Sequence, residues 1–247
     1  MRRRDLAAST TLLLIGWQLL AWLVAREVLP GPVAVIQALI VELPRGLGRH
    51  FLVSAWRVVA SVVISAALAT PIGLILGQSS TLNRLFSPLI YILYPIPKIV
   101  FLPIVLLFLG IGDASKIFII ALLLFFQVLV VVRDAAGTLR PELIYSVRSL
   151  GAGRRALFRF VYLPATLPAS LTALRVSVGI AIAVLFFAES FATTSGLGYY
   201  IIVEAWGRLA YPEMYAGVAA MSALGLLLYF AIDRLERRLC PWLFVNR

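Results

Sequence analysis

Six apolar stretches, at residues 6–25, 58–77, 85–109, 115–132, 169–187 and 215–232, take up about half of the chain, and nearly all of its charge lies in the gaps between them. A helix rises 1.5 Å per residue, so about 20 apolar residues cover the roughly 30 Å hydrocarbon core of a bilayer. With 62% apolar side chains, 13% charged ones and a mean hydropathy of +1.00, the chain has too little polar surface for a soluble globule. The fold class is therefore an all-α integral membrane protein with about six transmembrane helices.

The net charge of +11 would suggest nucleic acid in a soluble protein. Here 20 of the 22 cations are arginine and they cluster between the apolar runs, a pattern of membrane topology and not of nucleic-acid binding. In a six-span arrangement with both termini cytoplasmic, 14 cations fall on inner segments and 6 on outer ones. Because cations resist translocation, that bias favours this orientation. Cys240 and His50 are each the only residue of their kind, so neither a disulfide nor a multi-ligand Cys/His metal site can form within one chain.

From the start, Arg2, Arg3 and Arg4 precede the first apolar run, which is longer than the core of a signal peptide and has no clear cleavage site after it. It reads as a retained helix. Leu29, Pro30, Gly31 and Pro32 stop it, and residues 33–43 form an amphipathic helix too short to span, ended by Pro44. In the second span Gly73 and Gly77 stand one turn apart, which suits close helix packing. Residues 78–84 read as an inner loop.

The third stretch contains Pro88, Pro95, Pro97 and Pro103, with Lys98 directly after the Tyr94, Pro95, Ile96, Pro97 group. Broken helix at membrane depth is tolerated only where protein or a water-filled cavity satisfies the freed backbone groups, so Tyr94, Pro95, Pro97 and Lys98 are candidates for the lining of a translocation pathway. Lys98 either snorkels or pairs with an acid, or it presents its charge to an anionic solute. Gly110 to Asp113 form an outer turn with Asp113 as N-cap of the fourth span. Arg175 sits near the inner end of the fifth span. Glu189, near its outer end, either caps or pairs structurally or belongs to the solute path. Glu204, Arg208 and Glu213 read as exposed charges of an outer loop, and residues 236–247 as a cytoplasmic tail.

Between the fourth and fifth spans lies Tyr-Ser-Val-Arg-Ser-Leu-Gly-Ala-Gly-Arg-Arg-Ala-Leu-Phe-Arg-Phe-Val-Tyr-Leu-Pro-Ala-Thr-Leu-Pro, residues 145–168. Its arginines exclude it from hydrocarbon. Val147, Leu150, Leu157, Phe158 and Val161 recur at helical spacing, and Gly151 and Gly153 break the run into two short helices before Leu163 and Pro164. By composition this is a basic loop that sets orientation. Its residue order resembles the cytoplasmic loop of importer-type ABC transporter permeases, whose pattern is Glu-Ala-Ala, three residues, Gly, nine residues, Ile-x-Leu-Pro. Here Gly151 is followed after nine residues by Val161, Tyr162, Leu163 and Pro164, while Tyr145, Ser146 and Val147 replace Glu-Ala-Ala. Three further strings, Leu-Pro-Gly-Pro at 29–32, Phe-Leu-Gly-Ile-Gly-Asp-Ala-Ser-Lys-Ile at 108–117 and Ser-Gly-Leu-Gly-Tyr at 195–199, are similar to the subfamily that imports nitrate, taurine and alkanesulfonates.

The resemblance implies a single permease domain over 1–247. Residues 1–50 hold the first span and outer helix, 51–235 the core, 134–168 the coupling-helix loop and 236–247 the tail. It implies a homodimer in the cell (inner) membrane, two copies of an ABC ATP-binding subunit carrying ATP and Mg, and an extracytoplasmic solute-binding protein. On this chain Ser146, Arg148, Leu150, Gly151, Ala152, Arg154, Val161, Leu163 and Pro164 would couple to the ATPase, and no cofactor would be bound. The chain has no G-x-x-x-x-G-K-[ST] loop of its own, so the expectation is a non-catalytic subunit. The solute would be a small anion such as nitrate, taurine or an alkanesulfonate, or a vitamin precursor. The alternative is an ion-gradient-driven secondary transporter, which should show two related halves and buried ionisable groups at mid-membrane.

Overall fold

The structure, a computed structural model, describes residues 3–244, without the side chains of residues 3, 4, 6 and 7. Arg2 and the tail positions 245–247, Arg247 included, lie outside the described residues. Every regular element among those described is helical.

Proline and glycine mark most of the boundaries. α1 (Arg3–Val24) ends before the Leu29 to Gly31 turn, and α2 (Pro32–Glu42) starts with Gly31 as N-cap and Pro32 in its first turn, where a missing N–H is harmless. A π turn, Leu43–Leu47, carries Pro44 into α3 (Gly48–Gln78). Ser79 then caps α4 (Ser80–Leu93), its Oγ accepting from Leu82 N at 3.3 Å. The inner loop expected at 78–84 is thus a single capping residue between two helices, because a serine can supply the acceptor that a longer loop would otherwise provide.

α4 breaks at residues 94–97 and resumes as a 3₁₀ turn (Lys98–Phe101) and α5 (Leu102–Leu109), bent by 77° from α4. Gly110, at φ +75°, ends α5 in a conformation that favours glycine. α6 (Asp113–Gly137) follows, with Gly112 as its N-cap residue. Then come α7 (Pro141–Ser149), α8 (Arg154–Leu157), a π turn (Phe158–Tyr162) and α9 (Leu163–Ser190). The π turn bonds Leu163 N to Phe158 O, so the helix runs on through Pro164 instead of stopping there. Residues 197–208, expected as loop, are α10 (Leu197–Tyr199) followed by a π turn and a 3₁₀ turn, and α11 (Tyr211–Leu239) completes the fold.

Four of these helical stretches are long and apolar enough to cross a membrane: Pro32–Gln78, Asp113–Gly137, Arg154–Ser190 and Tyr211–Leu239. The bent pair Ser80–Leu93 and Lys98–Leu109 adds a fifth if it is one broken span, and the described apolar part of α1, Ala8–Val24, is shorter. Leu107 and Phe108 are each 84% exposed, and Leu12, Leu13, Leu23 and Tyr91 are also far out of the core. Such faces suit hydrocarbon and not water.

The chain divides into two compact units, Met1–Ala55 with Phe186–Leu224, and Trp56–Leu185 with Gly225–Arg247. In the first, Trp17 Nε1 donates to Pro30 O at 3.1 Å and its ring meets Tyr215, tying α1 to the turn after it and to α11. Gly217 lets α11 lie against Tyr200 and Ile201. The second unit is built on Leu74, Val128, Leu129, Val132, Leu171, Leu174 and Ile232. In it α3 approaches α6 closely, where a Cβ at Gly73 would stand 3.0 Å from Leu129 O and one at Gly77 would collide with Arg133 O and lie 2.6 Å from Ala136 Cβ. The two glycines therefore serve helix packing, as their spacing predicts.

Candidate functional site

Pro95 and Pro97 have no N–H to offer the carbonyls of Tyr91 and Leu93, so α4 must end at the break. Lys98 compensates: its Nζ donates to Leu93 O at 2.8 Å and to Tyr94 O at 2.5 Å, and stands 4.7 Å from the centre of the Phe126 ring. The side chain is buried. Lys98, Tyr94, Ile96, Pro97, Leu123, Phe126 and Gln127 line a cavity of about 170 Å³. A second cavity of about 630 Å³, bordered by Pro88, Tyr91, Pro95 and Arg133, shares Tyr94 with it. Tyr94, Pro95, Pro97 and Lys98 are thus brought together on hollow, irregular backbone. Of the two readings of Lys98, snorkelling does not describe it, since the ammonium turns back onto backbone carbonyls.

The central loop has the expected form. α7 ends at Ser149, Gly151 turns the chain at φ +79°, and Gly153 is the N-cap residue of α8. Leu150 is 85% exposed, a Cβ at Gly151 would have nothing within 4 Å, and Ser146, Arg148 and Arg154 are exposed too. Ala152, Leu163 and Pro164 are half-buried and Val161 is buried. Arg148 and Arg154, with Gln78, Ser79, Ser80 and Tyr162, border a polar cleft of about 520 Å³. On another side Val147, Phe160, Val161 and Pro164 meet Trp242 around a cavity of about 250 Å³. The loop is therefore a small knob with an exposed leucine at its tip and exposed cations beside it.

Glu189 belongs to the first unit and is fully buried. Its carboxylate accepts from Ser54 Oγ at 2.7 and 2.9 Å and from Gly198 N at 3.1 Å, while Ser54 Oγ accepts from Leu197 N at 2.8 Å. Gly196, at φ +113°, sits where any Cβ would run into the carboxylate. His50 completes the cluster: its Nδ1 accepts from Gly196 N at 3.0 Å and its Nε2 lies 3.3 Å from Glu204 Oε1. Glu204 is thus half-buried beside His50 and is not a free loop charge.

His50 and Ser54 were not among the residues expected to share a site with Glu189. The signal was available, because His50, Ser54, Arg57, Ser61 and Ser65 recur every three or four residues in α3 and all are buried, a polar stripe through an apolar run. Arg57, directly before the second apolar stretch, is one of the six cations assigned to outer segments. It is only 2% exposed and grips Asp113 Oδ1 through Nε at 2.8 Å and Nη2 at 2.7 Å. Asp113 is therefore an ion-pair partner in the first turn of α6 and not its cap. Arg175 likewise meets Asp233 and Glu236, each at 2.8 Å, and Thr172 Oγ1 donates to Glu236 Oε1 at 3.1 Å.

Residues 69–244 match the family model described as "Binding-protein-dependent transport system inner membrane component". Among curated proteins the chain is 32% identical to a taurine transport system permease protein, TauC, of Escherichia coli K12 over 96% of this chain and 89% of that one. It is 29% identical to a formylaminopyrimidine transport permease protein, ThiX, of Halalkalibacterium halodurans over 98% of each. Among solved structures it resembles a chain of the MetNI methionine ABC transporter in inward-facing conformations, with a TM-score of 0.65 at 22% identity, covering 78% of this chain and 95% of that one.

Proposed function

The chain belongs to the family of binding-protein-dependent transport system inner membrane components, and from that premise we propose that it is the pore-forming subunit of an ATP-driven importer that works as a homodimer with two copies of a separate ATPase and an extracytoplasmic solute-binding protein. Six spans with both termini cytoplasmic, in the inner membrane, complete the reading. The bent pair α4 and α5 counts as one span and α1 as another.

The observation that carries it is the knob at residues 145–164, with Leu150 and Gly151 at its tip. Closure of the ATPase dimer around ATP and Mg would draw the two knobs together, and the pore would switch between inward-open and outward-open states. The named relatives transport taurine and formylaminopyrimidine, which supports a small polar or anionic solute. The break at residues 94–98 would line its path.

The test is a mild-detergent pull-down of the tagged chain from its host, with wild type beside Gly151→Asp. An aspartate at φ +79° and at the docking tip should abolish recovery of the ATPase and ATP-driven uptake while the permease stays in the membrane. Recovery of the ATPase at wild-type levels by that variant would refute the coupling role. Absence of any ATPase from the wild-type preparation would refute the importer reading itself.

A further inference from the structure

His50 is the only histidine of the chain, and an imidazole is the one side chain whose ordinary charge change falls between about pH 5 and pH 8. Its ring is held at both nitrogens: Nδ1 accepts from Gly196 N at 3.0 Å, and Nε2 lies 3.3 Å from Glu204 Oε1. The Gly196 N–H can only donate, so Nδ1 carries no proton, and the single ring proton sits on Nε2, facing the carboxylate. The rings of Tyr199 and Tyr200, with centroids 5.9 and 5.7 Å from that of His50, lie beside it, and the residue is buried. Gly196 in turn holds the start of α10, since its carbonyl accepts from Tyr200 N at 3.0 Å. A second proton on His50, at Nδ1, would set donor against donor. The imidazolium is therefore incompatible with the closed corner at Gly196. Its attraction to Glu204 offsets little of that loss, because the Glu204 side chain is 36% exposed and screened by water.

We infer that His50 is a proton-operated latch on residues 196–208, closed while its imidazole is neutral and barred from closing once Nδ1 is protonated. The corner opens transiently, Nδ1 takes a proton, and the two facing N–H groups then keep Gly196 from returning. The segment so released carries the exposed Val203, Trp206 and Leu209. In the six-span reading it lies at the outer face, so the latch answers to external pH, and for that side of the membrane alone the inference rests on the proposed function. The other charged groups about the ring are Glu204, Glu189 behind Ser54 and Gly198, the exposed chain neighbour Arg49, and Glu42, Glu213 and Arg208, whose charges reach Tyr200. Arg45 is paired to Glu42 at 3.4 Å. None of these meets the Gly196 N–H, and each is still present when His50 is replaced, which makes their titration separable from that of the imidazole.

The test uses the complex of permease and ATPase, in a Cys240→Ala background, with a nitroxide spin label on Val203→Cys. The label is attached once at neutral pH, and its spectrum is then read from about pH 8 down to about pH 5. With His50 in place the mobile fraction should rise at least about twofold over that range. His50→Asn puts an amide oxygen where Nδ1 stands, accepts from Gly196 N at every pH and takes no proton, so its label should stay immobile throughout. His50→Leu has no acceptor, and its label should be mobile throughout. Glu204→Gln removes the charge that favours the imidazolium and should move the transition to lower pH. A spectrum that does not respond to pH with His50 in place would overturn the inference. So would a response that persists in His50→Asn, which would belong to Glu42, Glu189, Glu204 or Glu213. In vesicles with a neutral interior, acidifying the outside should slow ATP-driven uptake more for the His50 protein than for His50→Asn with the same binding protein, and equal slowing would overturn the latch's hold on transport. Because the spectrum needs no transport, its failure in a complex that retains the ATPase leaves the importer reading standing. Loss of the ATPase would be the separate failure of that reading.

Discussion

The contact between Gly196 and Glu189 can be tested by a double-mutant cycle whose sign the geometry fixes. A methyl group at Gly196 meets two penalties: a φ of +113°, which costs a non-glycine residue about 1–3 kcal/mol, and collision with the Glu189 carboxylate, whose Oε2 would stand 2.6 Å away, worth about 1–3 kcal/mol as overpacking. Glu189→Ala alone strands the buried Gly198 N–H and removes the acceptor of Ser54 Oγ, at roughly 1–3 kcal/mol for each group. In the double variant the collision has nothing to collide with, while the φ strain and the stranded donors remain. The pair should therefore be less destabilising than the sum by the overpacking term of about 1–3 kcal/mol. At about 2–4 °C per kcal/mol for a chain of this size, the double variant should unfold roughly 2–12 °C above the additive expectation. The assay is the apparent unfolding temperature of the four proteins purified in one detergent, followed by size-exclusion of the soluble fraction after heating. Additivity within about 0.5 kcal/mol would refute the placement of Gly196 against the carboxylate.

Three further outcomes follow from the packing and the ion pairs. Gly77→Ala should lower the unfolding temperature by an amount corresponding to about 1–3 kcal/mol, because its methyl meets Arg133 O and Ala136. Gly179→Ala in α9, where nothing lies within 4 Å, should leave it unchanged or raise it slightly, and equal effects in the same heating assay would refute the close approach of α3 and α6. Arg175→Met should cost about 1–3 kcal/mol, chiefly by taking the cation from buried Glu236, since Asp233 keeps Arg237 at 2.9 Å, and adding Glu236→Gln should recover part of the loss. Asp113→Leu, which takes a carboxylate from the buried Arg57, should destabilise more than Asp113→Asn, which keeps an oxygen acceptor for the guanidinium.

What could be read from residue order and what could not differ for a physical reason. Apolar runs, proline breaks and glycine corners act on their own neighbourhood, so the helical class, the break after Tyr94 and the turn at Gly151 were legible in the sequence. The helix ends were legible only where the stop was local. Pro164 was expected to close the knob, but whether a proline ends a helix depends on whether the turn before it can re-route one hydrogen bond, and the π turn at Phe158–Tyr162 does so. The roles of charged side chains were the least legible, because a charge in an apolar sequence announces that it needs a partner without naming it. Arg57 needed Asp113, 56 positions on, and Glu189 needed Ser54, 135 positions back. Lys98 shows the limit of the argument from intramembrane charge: it has a structural task, mending a helix end that two prolines leave open, and that task also fixes its ammonium beside a cavity. A cation held in place by backbone carbonyls is pre-organised, so a solute that meets its remaining donor does not have to order a flexible side chain first. The charge of Lys98 therefore has a structural use that holds whether or not a solute ever meets its remaining donor.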